Sequence, residues 1–137
     1  MRSVIYSMGV SLDGYIVGPD DALEWAAIWK PLPKVVFSTT LSAVEGNARL
    51  ATGSLVEEIE RLRAVPADGD IAIGGAALAG EAARLGLIDE YRPRVHPVLL
   101  GGGIPFYPQS ERRMDLELVE SRPFGSQTVY FRYRVAR

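Results

Sequence analysis

The sequence predicts an α/β protein: a mostly parallel sheet with helices on both faces and an antiparallel C-terminal edge. Three observations predict it. Short apolar runs alternate with helix-patterned segments from the N-terminus to about Leu100, as βα units do. Two strand-patterned runs, Asp115 to Ser121 and Gln127 to Val135, then follow with no helix between them, which puts an antiparallel edge at the end of the sheet. The 137 residues are 47% hydrophobic and 23% charged; residues 1–137 read as one domain with one core of ordinary size.

The elements follow in order. Val4 to Val10 is an apolar run broken by Tyr6 and Ser7 and reads as a buried strand, with Gly9 allowing close approach of another backbone or a ligand. Asp13-Gly14 is a turn signal, Tyr15 to Val17 a short second run, and Gly18-Pro19-Asp20 its end. Ala22 to Trp29 has helical spacing and stops at Pro31 and Pro33. Lys34 to Ser38 is a strand. Ser54-Leu55-Val56-Glu57 is a capping box opening a helix to about Ala64, with Leu55, Ile59 and Leu62 on one face. Asp70 to Ile73 is a short strand expected at the centre of the sheet, parallel to those at Val4 and Lys34. Ala76 to Leu85 is an Ala-rich helix with Gly86 as its left-handed cap. Tyr91 to Leu100 is a strand ended by Gly101-Gly102-Gly103. In Gln127 to Val135, Val129, Phe131, Tyr133 and Val135 alternate with Thr128, Tyr130, Arg132 and Arg134.

Composition excludes several functions. A net charge of −2 and no dense basic run argue against a nucleic-acid partner. The chain has no cysteine and one histidine, so disulfides, thiolate chemistry and Cys-based zinc sites are excluded, and no metal-ligand spacing occurs. Met1 to Val10 lacks the long apolar stretch and cleavage site of a leader, and no segment reaches the length of a membrane span. A cytoplasmic protein with no membrane partner is the expectation.

Three local signals carry candidate chemistry. Gly74-Gly75 lies between a strand and a helix, where free amides and the helix field attract phosphate. The G-x-G-x-x-G spacing is absent, so the pair alone also fits a plain strand-to-helix turn. Ser38-Thr39-Thr40 ends a strand on the side where α/β sheets bind ligands, or is a polar loop. Gly101-Gly102-Gly103 predicts positive φ, contact with a ligand, or a flexible loop. Proton carriers are few: Asp13 in a turn, Glu24 in a short helix, Tyr107 after the glycines. His96 sits mid-strand beside Pro97, a setting for packing rather than catalysis.

Read together, these pieces resemble the reductase domain of the riboflavin-pathway deaminase–reductases, a dihydrofolate reductase-like family. Ser7 to Ile16 is similar to its S-x-D-G-x-I motif, and Lys34 to Leu41 to its adenosine-side strand and loop. Ile73-Gly74-Gly75-Ala76-Ala77-Leu78 is similar to its cofactor-phosphate turn. Leu87 to Tyr91, Pro97 to Gly103 and Pro105-Phe106 are similar to its late strand and glycine loop. The order matches over nearly the whole chain. One departure stands out: the family has a helix and a strand, with a Gly-Arg-x-x-x-Glu-type motif, between the first strand and the one at Lys34. Here only Asp20 to Pro33 fills that space, with no Gly-Arg in it. Trp25 belongs either to the motif after the first strand or, with Ala26 to Trp29, to the end of the later helix.

The resemblance implies an NADPH-dependent reductase of a small pterin- or pyrimidine-like substrate, acting as a homodimer. It implies that Val10, Gly14 and Ile16 border the nicotinamide. Ser38, Thr39 and Thr40 hold the adenosine side, and Gly74, Gly75, Ala76 and Leu78 the pyrophosphate. Gly102 and Gly103 meet the substrate, and Asp13 orients it. With one helix–strand block missing, the alternative is a shortened, non-catalytic nucleotide-binding or dimer-forming relative. The residues do not separate NADPH from NADH.

Overall fold

The computed structural model describes residues 2–17, 34–36, 48–65, 69–74, 76–107, 113–125 and 127–136. The described strands are β1 (Val4–Tyr6), β2 (Gly9–Ser11), β3 (Lys34–Val36) and β4 (Ala48–Leu50), followed by helix α1 (Leu55–Ala64). Strand β5 (Ile71–Ile73) leads into helix α2 (Ala76–Arg84). Strands β6 (Glu90–Tyr91), β7 (Arg94–His96), β8 (Leu116–Pro123) and β9 (Val129–Val135) complete the order. The chain forms two units, Met1–Gly18 with Ala67–Arg137, and Pro19–Pro66. The helix expected over Ala22 to Trp29 lies outside the described residues.

In the first unit β1 pairs in parallel with β5 and β6, and β2 in parallel with β7. Strand β9 runs antiparallel to β6, β7 and β8. The sheet is therefore mixed, with parallel pairing first and an antiparallel C-terminal edge, as expected. Two features differ from the sequence reading. Among the described residues β5 ends the sheet path instead of lying at its centre. The strand expected over Tyr91 to Leu100 is two short ones, and that expected over Val4 to Val10 is also two. Pro93 has no N–H for the ladder, and its carbonyl still accepts from Phe131 at 3.0 Å. The breaks in the two neighbours coincide: the Arg92 amide donates to Tyr6, that of Arg94 to Met8, and the Ser7 hydroxyl to the Arg92 carbonyl. Pro97 then ends β7.

Register partners share a face. One row crosses the sheet as Ile73, Tyr6, Tyr91, Tyr133 and Leu118. It is buried at Ile73, Tyr6 and Tyr91 and opens to 57% exposure at Leu118. The Phe106 ring stacks on Tyr6 with centroids 4.3 Å apart and planes within 7°. Tyr91 meets Tyr6 edge-on at 6.2 Å. Burial pushes the Tyr6 phenol up to about 12, with Tyr91 adding to the shift.

The opposite face carries ions. Glu90, buried in β6, accepts from Arg132 across the ladder and from Arg92 at 3.1 Å. Arg92 also reaches Asp70 at 3.5 Å. Burial by itself raises a carboxyl; the Arg132 and Arg92 guanidiniums outweigh it and hold Glu90 below its ordinary value.

Helix α2 ends as its sequence predicts. Gly86 takes φ +70°, its amide donates to Ala83, and the Leu87 amide to Ala82, the double bond of a Schellman motif. In the second unit β3 pairs in parallel with β4, a strand the sequence reading did not assign. Ala-Arg-Leu holds no β-branched residue and no alternation long enough to register. Helix α1 begins with the expected capping box: Ser54 Oγ accepts from the Glu57 amide, and the Glu57 carboxylate from the Ser54 amide. Glu58, 1% exposed, accepts from Arg61 and from the Thr52 amide.

Candidate functional site

Parallel strands present their carboxyl ends to the same side of a sheet, and ligands of open α/β sheets bind there. In the first unit that side holds three pieces of chain. These are the hairpin after β2 (11–17), the turn at Gly74 after β5, and the loop after β7 (97–107).

The hairpin and the loop after β7 are laced together by backbone. The Leu12 amide donates to Val98 at 2.8 Å, the Ile16 amide to Ile104 at 2.8 Å and the Phe106 amide to Gly14 at 2.9 Å. Tyr15 bridges to Pro105 and Ile16 to Val10. Phe106, 2% exposed, then roots the loop in the core on Tyr6. Tyr107 meets Phe106 edge-on at 4.9 Å and lies over the Cα of Gly14. Burial raises its phenol, with Tyr133 adding to the effect, so it is protonated at neutral pH.

Asp13 closes this arrangement. Its Oδ2 accepts from the Gly101 amide at 2.8 Å and its Oδ1 from the Leu100 amide at 3.2 Å. The Ser11 hydroxyl donates to Oδ1 at 2.5 Å and accepts from the Tyr15 amide at 2.9 Å. The Ser11 hydroxyl and the Gly101 amide hold the Asp13 carboxyl below its ordinary value. Gly101 at φ +73° and Gly103 at φ +128° take the left-handed geometry that the triple glycine predicts. The turn amides therefore converge on a carboxylate supplied by the chain itself, as backbone nests do on anions.

The expected site residues fall as follows. Val10 lies in β2 with its side chain buried at 1% exposure. Gly14, at φ +93°, and Ile16 lie on the hairpin. Gly102 and Gly103 are exposed on the loop, and a side chain at Gly102 would meet nothing within 4 Å. Gly74 is exposed at the end of β5, and Ala76 and Leu78 lie in the first turn of α2, which carries no acidic residue. Ser38, Thr39, Thr40 and Gly75 lie outside the described residues. Asp13, expected to orient substrate, has its carboxylate turned onto the glycine loop. His96 packs against Gly9, whose Cβ would stand 3.0 Å from its Nε2, and its Nδ1 lies 3.4 Å from Thr128 Oγ1. Ser11 opens the S-x-D-G-x-I match but has no site role on sequence alone; its place two residues before Asp13 is the signal for one, since short hydroxyls bond within turns. Among the described residues no cluster of metal-ligating side chains occurs, and no helix is long and apolar enough to cross a membrane.

The RibD C-terminal domain family matches residues 29–130. The Bacillus subtilis (strain 168) uncharacterized protein YyaP is 26% identical over 177 residues, covering 96% of this chain and 94% of that protein. That span exceeds the 137 residues of this chain, so YyaP carries residues inside the aligned region that this chain lacks. A Shewanella sp. PV-4 protein whose name places it in riboflavin biosynthesis has a similar structure, with a TM-score of 0.78 at 21% identity, over 99% of this chain and all of that one. Acinetobacter baumannii RibD aligns with a TM-score of 0.71 at 14% identity, over 99% of this chain and 58% of its own. These structures share the dihydrofolate reductase-like fold with this chain. The protein belongs to the RibD C-terminal domain family, lacking a stretch of chain that YyaP has.

Proposed function

We propose that this chain is an NADPH-dependent reductase of a small pyrimidine- or pterin-like substrate, with 5-amino-6-(5-phosphoribosylamino)uracil the first candidate. The observation that carries the reading is the family match over residues 29–130. The local chemistry fits a dinucleotide. The first turn of α2 has no carboxylate to compete for its amides, and the exposed Gly74 leaves backbone open to a pyrophosphate. Gly102 leaves open space on the loop for a flat ring.

The nicotinamide, when bound, supplies the hydride; the protein orients it and excludes water. Gly74, Ala76 and Leu78 hold the phosphates, together with Gly75, which lies outside the described residues. Gly14 and Ile16 border the ring, and Gly102 and Gly103 face the substrate. The test is NADPH absorbance in the presence of the phosphoribosylamino-uracil. The reading expects an enzyme-dependent fall; no oxidation of NADPH with this or related pyrimidines and pterins refutes it.

The residues that YyaP has and this chain lacks favour a second reading, a shortened relative that binds the nucleotide without turning it over. Binding without oxidation separates the two. We further infer a homodimer in solution: β8, which among the described residues pairs only with β9, exposes Leu116, Leu118 and Val119, and an open strand edge invites pairing.

A further inference from the structure

We propose that Asp13 is a positioning residue: its carboxylate seats the glycine loop on the hairpin and so sets the wall that receives the ring end of the dinucleotide. The proposal rests on the reductase reading. It follows from what the carboxylate touches. Both oxygens are taken by the chain itself, by the amides of Leu100 and Gly101 and by the Ser11 hydroxyl. With three of its roughly four acceptor directions taken by the chain, the carboxylate is held as the anion and has no proton to give.

Removing it has a defined consequence. The loop crosses from β7 to Phe106, and only those two ends are rooted in the sheet and the core. Between Val98 and Ile104, the described bonds from the loop to the hairpin are those of the Asp13 carboxylate. Gly101 and Gly103 are in left-handed geometry, which a glycine run loses readily once the anion that gathers its amides is gone. Leu99 and Ile104, 69% and 62% exposed, add little core contact to hold the middle of the loop. The carboxylate thus fixes where Gly102 and Gly103 stand relative to Gly14 and Ile16.

The experiment compares the parent with Asp13→Asn and Ser11→Ala in two measurements. The first is amide hydrogen exchange without ligand. In Asp13→Asn one of the two acceptor oxygens becomes an NH2 donor, so the side chain can serve only one of the two amides that the carboxylate holds; exchange at Leu100 or Gly101 rises at least tenfold, with amides of β1 and β6 unchanged. Ser11→Ala, which keeps both carboxylate–amide bonds, moves the same amides less. The second is NADPH affinity by fluorescence titration. The dissociation constant rises at least fivefold in Asp13→Asn, with the melting transition still cooperative. Unchanged exchange at Leu100 and Gly101 overturns the latch. A loosened loop with unchanged NADPH affinity overturns the positioning role. A parent that does not bind NADPH overturns the reductase reading instead, and the exchange result still decides the latch.

Discussion

Replacing Phe106 with alanine tests how the glycine loop is joined to the core. The ring is 2% exposed, stacks on Tyr6 at 4.3 Å and meets Tyr107 at 4.9 Å. Truncating a buried phenylalanine costs about 3–5 kcal/mol in transfer and cavity terms. The stacked partner accounts for about 0.5–1.5 kcal/mol of that beyond area alone. Against a total stability of about 5–15 kcal/mol, the variant is left folded with a narrow margin. For a chain of this size the melting temperature should fall by roughly 10–20 °C. Phe106→Leu retains most of the volume and should lose less than half as much. Leu99→Ala in the same loop, at 69% exposure, should stay within about 0.5 kcal/mol. Urea unfolding followed by circular dichroism reads all three. A loss below about 1 kcal/mol for Phe106→Ala would refute the claim that this ring roots the loop.

Three further outcomes follow from the structure. Glu90→Gln should cost about 1–3 kcal/mol, less than the loss of one partner of a fully buried pair because Arg132 keeps 38% of its side chain in water. Glu90 is held below its ordinary value in the folded chain, so its contribution is complete above the ordinary glutamate pKa of about 4.3. It is lost as the pH falls through the lower folded value; melting against pH should show the parent losing part of its lead over Glu90→Gln in that acid window. Gly80→Ala should stabilise by about 0.4–1 kcal/mol, since Gly80 lies within α2 and an added Cβ meets nothing within 4 Å; a lower melting temperature contradicts this. Leu118→Lys should yield a monomer by light scattering where the parent is a dimer, and a parent of 14.9 kDa in solution contradicts the pairing.

Much of the fold was legible because its signals are local. The capping box at Ser54, the left-handed cap at Gly86 and the alternation from Val129 to Val135 are each set by a few neighbouring residues, and each appears as read. The strand breaks at Ser7-Met8 and Arg92-Pro93 were not read, because they show only when the two segments lie side by side. Strand β4 was missed because three residues without β-branching carry no period. The triple glycine correctly announced positive φ. Its anion was not legible: the carboxylate that meets the loop lies 88 residues earlier at Asp13, and no spacing rule links the two. The same distance explains why Asp13 reads as a candidate for substrate in the sequence and as the anchor of a loop in the structure.

The central claim is that this chain, though shorter than YyaP, keeps a working dinucleotide site on the carboxyl side of its parallel strands. Titration calorimetry of the parent with NADPH tests it most directly. The account predicts one saturable site per chain with a dissociation constant between about 1 µM and 1 mM. It also predicts at least a tenfold loss, about 1.4 kcal/mol, when Gly74 is replaced by valine. Absence of binding at millimolar NADPH, or full affinity in Gly74→Val, would contradict it.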